Sequence, residues 1–137
     1  MDKVLVMAAF NGDAGKVAVL LSLGARVDLR FQGFTPLLAA AHEGQTEVCE
    51  MLLDKGKAKI EEVGPDGSTA LIMAAHKGHA RTVALLLSKG ARVDTGVQGI
   101  SALMRAVEDG HVEVCKLLLK TGKANLKERR SSDGRGV

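Results

Sequence analysis

The chain has no tryptophan and no tyrosine, and only three phenylalanines among its 137 residues. A core without large aromatics must be built from Leu, Val, Ala and Met. That mixture suits helices packed closely through small side chains, not an aromatic-rich sandwich or barrel. Cysteine is scarce as well: Cys49 and Cys115 are the only two, too few for the disulfide framework of a small secreted domain. No apolar run approaches the roughly 20 residues a membrane span needs. The opening MDKVLVMAAFNGD holds an apolar stretch too brief and too weakly basic for a secretory signal. A soluble protein of a reducing compartment, cytoplasmic or nuclear, is the expectation. The sequence also lacks a nucleophile motif, a glycine-rich phosphate loop and an H-E-x-x-H pattern, so no catalytic, cofactor or metal residue is assigned.

Apolar residues make up 46% of the chain, far more than a disordered segment carries, and the length fits one domain. The net charge of +3 draws on a tail in which Lys127, Arg129, Arg130 and Arg135 outnumber Glu128 and Asp133. The body is near neutral, and aromatic stacking platforms are missing, so the basic excess makes no case for nucleic-acid binding.

Self-similarity organises the rest. Four segments align: AAFNGDAGKVAVLLSLGA, AAHEGQTEVCEMLLDKGKA, AAHKGHARTVALLLSKGA and AVEDGHVEVCKLLLKTGKA. Their first glycines, Gly12, Gly44, Gly78 and Gly110, are spaced 32, 34 and 32 residues apart. Their second glycines, Gly24, Gly56, Gly90 and Gly122, keep the same spacing. Two independent landmarks share one register, which is the signature of a repeat array.

Each unit reads as helix, turn, helix and a short extended connection. Thr35-Pro36 opens a first helix: the hydroxyl serves orphan N–H groups, and proline at the first helical position loses nothing. Thr69 and Ser101 are placed to cap the corresponding helices. Both glycines of a unit, Gly56 and Gly122 included, are expected to end helices in the left-handed conformation. The second helices carry apolar stripes, Val48, Met51 and Leu52 in one unit and Val83, Leu86 and Leu87 in the next. Turns centre on Gly33, Gly67 and Gly99, with Asp66-Gly67 the clearest hairpin pair. The stretch from Gly56 to Gly67 is two residues longer than its counterparts and is expected to bulge near Lys57 to Val63. One unit alone leaves an apolar side wet; stacking neighbours makes the core continuous.

These residues resemble ankyrin repeats. The likeness rests on Gly33-Phe34-Thr35-Pro36-Leu37-Leu38-Ala39-Ala40, on Gly67-Ser68-Thr69-Ala70-Leu71-Ile72-Met73-Ala74-Ala75, and on Gly78-His79 with Leu85-Leu86-Leu87 and Gly90-Ala91. It implies a mainly α solenoid of stacked helix-turn-helix units joined by short β-hairpin loops. The domain is expected to cover 1–126, in units of about 2–29, 30–63, 64–95 and 96–126. Residues 127–137 are then a basic tail or the start of a truncated fifth unit, since Ser132-Asp133-Gly134-Arg135 again resembles a unit opening; on this reading the chain is part of a longer array. Many units of the family open with threonine-proline-leucine-histidine, and that histidine helps tie neighbours together. Leu38, Ile72 and Met104 stand in its place here, so weaker coupling between units is expected.

The resemblance also implies a function: binding a protein or peptide through a concave groove, with contacts on hairpin tips and inner-helix ends. A non-catalytic targeting or regulatory segment of a larger enzyme is the alternative. Phe10, Phe31 and Phe34 fall at groove positions, and Val97 and Ile100 flank Gly99 as Phe31 and Phe34 flank Gly33. Turn tips normally carry polar residues, so these side chains read either as packing between hairpins or as an apolar anchor patch. Gln32, Glu43, Lys77 and Gln98 form its polar rim, with Asp66 and Ser68 on the middle tip. His42 and His76 project into the groove as a pH-sensitive spot or as a solvated pair; Glu108 and Asp109 make an acidic spot at its edge. His79 and His111 read as capping or packing residues. Glu61-Glu62 reads as solvated loop charge. Cys49 and Cys115, two units apart, are separated by about 20 Å at the usual layer spacing, too far for a shared metal or a disulfide.

Overall fold

Apolar stripes interrupted twice per unit by glycine give short helices that can pair and stack but cannot lengthen. The computed structural model describes residues 2–94, 96–97 and 100–121. Helices α1 (Asp2–Asn11) and α2 (Ala14–Ser22) form a first pair, α3 (Pro36–His42) and α4 (Thr46–Asp54) a second, and α5 (Ala70–Lys77) and α6 (Ala80–Ser88) a third. A fourth begins with α7 (Ala102–Glu108) and continues in α8, residues 112–121. The inner helices pack in the row α1, α3, α5, α7, and the outer ones in the row α2, α4, α6.

The predicted caps start the inner helices. Thr35 Oγ1 accepts from the Leu38 N–H at 3.2 Å, with Pro36 in the first turn. Thr69 Oγ1 accepts from Ile72 N–H and Ser101 Oγ from Met104 N–H, each at 3.3 Å. With neighbours on two sides and an outer helix behind, α3 is buried from Pro36 to Ala41 and α5 from Ala70 to Ala75. Their alanines let the inner row approach closely. The outer helices supply larger side chains at helical spacing: Val48 and Leu52 of α4, Val83 and Leu86 of α6, Val114 and Leu118 of α8. Each fully buried Leu of this kind contributes about 1.5–3 kcal/mol. Met51 and Leu87 are only partly buried and pack against the margin of that core.

The connections differ in an instructive way. Phe31 and Phe34 exchange both backbone hydrogen bonds, at 2.9 and 3.1 Å, around Gln32 and Gly33. Strands β1 (Gly96–Val97) and β2 (Ile100–Ser101) pair antiparallel, with Val97 opposite Ile100. At the middle tip, Pro65 occupies the place of Phe31 and has no N–H to donate. The bond shifts back one residue, from Gly64 N–H to the Ser68 carbonyl at 3.0 Å, and Asp66-Gly67 forms a turn without a ladder.

Two expectations are corrected. Gly56 does not take the left-handed conformation; the next residue, Lys57, does, at φ 58. The longer connection moves the reversal one residue on, while the Gly56 N–H still bonds to the Met51 carbonyl at 3.2 Å. The glutamates are not free loop charges: Glu62 is half-buried and accepts from Thr35 Oγ1, and Glu61 accepts from the Arg92 N–H at 2.8 Å. Coupling between units is not left without polar ties. Gln45 Nε2 donates to the Phe10 carbonyl at 3.2 Å, His79 Nε2 to that of His42 at 3.0 Å, and His111 Nε2 to that of His76 at 2.9 Å. The residue that follows Gly44, Gly78 and Gly110 thus ties its unit to the one before. Gly122 and the tail 127–137 lie outside the described residues.

Candidate interaction groove

The inner helices present two rows of side chains. Five residues before the turn glycine stand Met7, Ala39, Met73 and Arg105; two before it stand Phe10, His42, His76 and Glu108. In α3 the floor position is only a methyl group, between two methionines.

At the tip before α3, Gln32 (φ 55) and Gly33 (φ 84) both lie in the left-handed region. This two-residue loop suits the twist of a hairpin. The residues that flank it sit opposite one another, and opposite residues of an antiparallel pair project to the same face. Phe31 and Phe34 therefore act together. With Val6, Met7, Phe10, Gln32 and Ala39 they line an open hollow of about 370 Å³. Phe10 is 40% exposed and Met7 43%, whereas Phe31 and Phe34 are half-buried, Phe34 against the core, and Val6 and Ala39 are buried beneath them. Phe34 also meets the His42 ring edge-on, with centroids 5.8 Å apart.

Beyond Phe34 lies a second hollow of about 420 Å³, lined by His42, Pro65, Asp66, Ser68, Ile72, Met73, His76, Lys77 and Arg105 as well as Phe34. Its acid is occupied locally: Asp66 accepts from the Ser68 N–H and hydroxyl, both at 3.1 Å. His42 Nδ1 stands 2.7 Å from Glu43 Oε2, and His76 Nδ1 2.6 Å from Asp109 Oδ2. The His76 contact joins the third pair to the fourth. Lys77 is exposed and Arg105 half-exposed; among the described residues neither has an ion-pair partner. The second hollow is thus apolar-floored, with two cations free of ion pairs and with carboxylates that are each engaged at its margin: Asp66 by Ser68, Glu43 by His42 and Asp109 by His76.

Of the residues singled out from sequence, Phe10, Phe31, Gln32 and Phe34 meet at the first hollow, and Phe34, His42, Asp66, Ser68, His76 and Lys77 at the second. Ser68 is buried, and its hydroxyl is engaged with Asp66. Glu43 and Asp109 line neither hollow themselves but contact the histidines that do, and exposed Glu108 lines neither hollow. Gln98 and the side chains of Val97 and Ile100 lie outside the described residues. Sequence reasoning missed Val6, Met7, Ala39, Pro65, Ile72, Met73 and Arg105. Counting back five or six residues from each helix-ending turn glycine would have found all of them but Pro65.

Among the described residues no group of His, Cys, Asp and Glu is arranged to hold a metal ion, and no helix is long and apolar enough to cross a membrane. Cys49 is fully buried, and Cys115 is partly exposed; both thiols are free.

A comparison with curated proteins finds no match. The family model described as Ankyrin repeats (3 copies) matches residues 2–63 and again 56–129. Those two matches span nearly the whole chain, in the register of the helical pairs above. Such repeats generally serve protein–protein interaction. The stacked pairs, the glycine-stopped inner helices and the family match together place this chain in the ankyrin-repeat family.

Proposed function

We propose that the chain is a non-catalytic interaction module that captures a protein or peptide partner along the groove formed by hairpin tips and inner-helix ends. One observation carries the reading: every phenylalanine of the chain borders a single open hollow. A protein with three large aromatics would ordinarily bury them in its core; here Phe10 is exposed and Phe31 and Phe34 are only half-buried, and an apolar cluster open to solvent with a polar rim is the anatomy of an interface. Four units of about 2–29, 30–63, 64–95 and 96–126 offer a face about 40 Å long at the usual layer spacing. That accommodates a standard interface of about 800 Å² per partner. Phe10, Phe31 and Phe34 are the anchors, with Gln32, His42, Lys77, Asp66 and the Glu43 and Asp109 partners as rim. By their sequence positions around Gly99, Val97, Gln98 and Ile100 are further proposed contacts. The two free thiols support a reducing compartment, cytoplasmic or nuclear.

The test is capture from cell lysate by wild type and by the Phe31→Ser/Phe34→Ser double variant, after circular dichroism shows that both are folded. The variant should retain the helical signal and lose the bands that wild type enriches, at least about tenfold, as expected for truncated anchors. Equal capture by both proteins overturns the assignment.

A further inference from the structure

Resting on that reading of the groove, we propose that it selects a partner segment carrying a bulky apolar side chain followed, about 10 Å along the groove, by a carboxylate.

The two hollows are neighbours that share Phe34 as their dividing wall. The first owes its depth to the floor sequence of the inner helices. Met7 and Met73 fill their positions, whereas Ala39 leaves its own open beneath Phe10, Phe31 and Phe34. This socket takes an apolar side chain and offers a charged one no partner. The second hollow has the opposite preference. Lys77 and Arg105 project there without ion-pair partners among the described residues, while Asp66 already holds the Ser68 donors. A carboxylate placed there gains two cations, and a guanidinium can bind it with two parallel hydrogen bonds. A basic residue meets the same two cations, and the carboxylates nearby, Asp66, Glu43 and Asp109, already accept from Ser68 or contact His42 and His76.

The spacing follows from the stack. Neighbouring helical layers lie about 8–10 Å apart. A polyproline-II segment rises about 3.1 Å per residue with three residues per turn, so residues i and i+3 share one face about 9 Å apart. The best-fitting occupant is therefore an extended peptide with Leu, Phe or Met at one position and Asp or Glu three residues on. Apolar contact supplies affinity; the cations supply register and reject basic partners.

A random-peptide phage library panned on the immobilised full chain tests this. Two variants are panned in parallel: Ala39→Met, which places in α3 the residue that α1 and α5 already carry there, and Lys77→Gln/Arg105→Gln, which alters one exposed and one half-exposed position. Peptides enriched on wild type should share an apolar residue with an acid at i+3. A synthetic peptide of that consensus should bind about tenfold more weakly to either variant. Binding to wild type should fall with added salt, and that salt dependence should vanish in the Lys77→Gln/Arg105→Gln protein. If enriched peptides lack the acid, or the charge variant binds them equally, this inference fails while the groove reading stands. Failure of wild type to enrich any peptide overturns both. Should Ala39→Met not fold, the charge variant alone decides. A labelled single-stranded oligonucleotide serves as the other arm: tight binding that depends on Lys77 and Arg105 would assign those cations to nucleic acid and overturn the proposal.

Discussion

The His79 ring donates from Nε2 to the His42 carbonyl, 3.0 Å away, and lies over Gly44, the glycine that ends the preceding inner helix. One residue type thereby joins two requirements. Gly44 has φ +72, which L side chains adopt at a cost, and a Cβ built there would stand 2.7 Å from the imidazole. The same arrangement recurs one unit on, where His111 covers Gly78 and bonds to the His76 carbonyl. The turn glycine opens the space, and the next unit's imidazole fills it.

His79→Ala should therefore lower stability by about 1–2 kcal/mol, through one lost inter-unit hydrogen bond and the space left over the turn. Gly44→Ala should cost more, about 2–3 kcal/mol, because left-handed strain and the clash with the ring add. The two effects are coupled. In a His79→Ala background the clash is gone, and Gly44→Ala should cost only its strain. Urea unfolding of the two single variants and the double variant measures the coupling; simple additivity would show that the ring does not sense the glycine. His79→Gln should recover part of the loss, because Gln45 already makes this contact to Phe10 in the first pair.

Glu62 gives a pH dependence of opposite sense to most carboxylates. Burial disfavours its charged form and raises its pKa above 4.5, although the Thr35 hydroxyl and the nearby Arg30 and Lys59 work the other way. A raised folded-state pKa means that the contribution of this group to stability is complete below 4.5 and is lost as pH rises through the folded value. Glu62→Gln removes the titration and keeps an oxygen to accept from Thr35. The variant should have a higher urea midpoint than wild type near neutral pH, and the difference should close in acid below 4.5. A gap that widens in acid would mean that the ionised carboxylate is the stabilising form.

How much of this was legible in the residues depends on the kind of interaction. Local chemistry was: Thr35, Thr69 and Ser101 carry their own capping hydroxyls, and the paired glycines carry the register. Contacts across units were not, because His79 and Glu62 show their partners only when the neighbouring unit is set beside them. Lys57 became the left-handed residue because the longer loop moved the reversal off Gly56, and spacing alone does not say where in a loop the extra length is taken up. In the groove, the aromatic tips stood out by type, whereas Ala39 and Arg105 mattered by position. Alanine signals nothing in a helix until its counterparts are seen to be methionines.

The caps themselves are testable. Thr69 is 2% exposed and its hydroxyl oxygen accepts from the Ile72 N–H, so water cannot replace it. Thr69→Ala should cost about 1–2 kcal/mol by guanidinium or urea unfolding, and Thr69→Ser, which keeps the oxygen, only a fraction of that. Equal losses in the two variants would point to the methyl group and its packing as the source.

Cys49 and Cys115 hold equivalent places in α4 and α8, five residues past their turn glycines, yet their surroundings differ. Cys49 is fully buried, and burial pushes its thiol up to about 12; the thiolate, the reacting form, is scarce in the folded protein. Cys115 is partly exposed. A maleimide or an aromatic disulfide added to the native chain should therefore modify one thiol promptly, and peptide mapping should place it at Cys115. Modification of Cys49 has to wait for the second helical pair to open. Its rate should rise with urea in step with global unfolding if the stack opens as one unit, and ahead of it if the pairs open separately. Prompt labelling of Cys49 under native conditions would contradict the packing of α4 against α2 and α6.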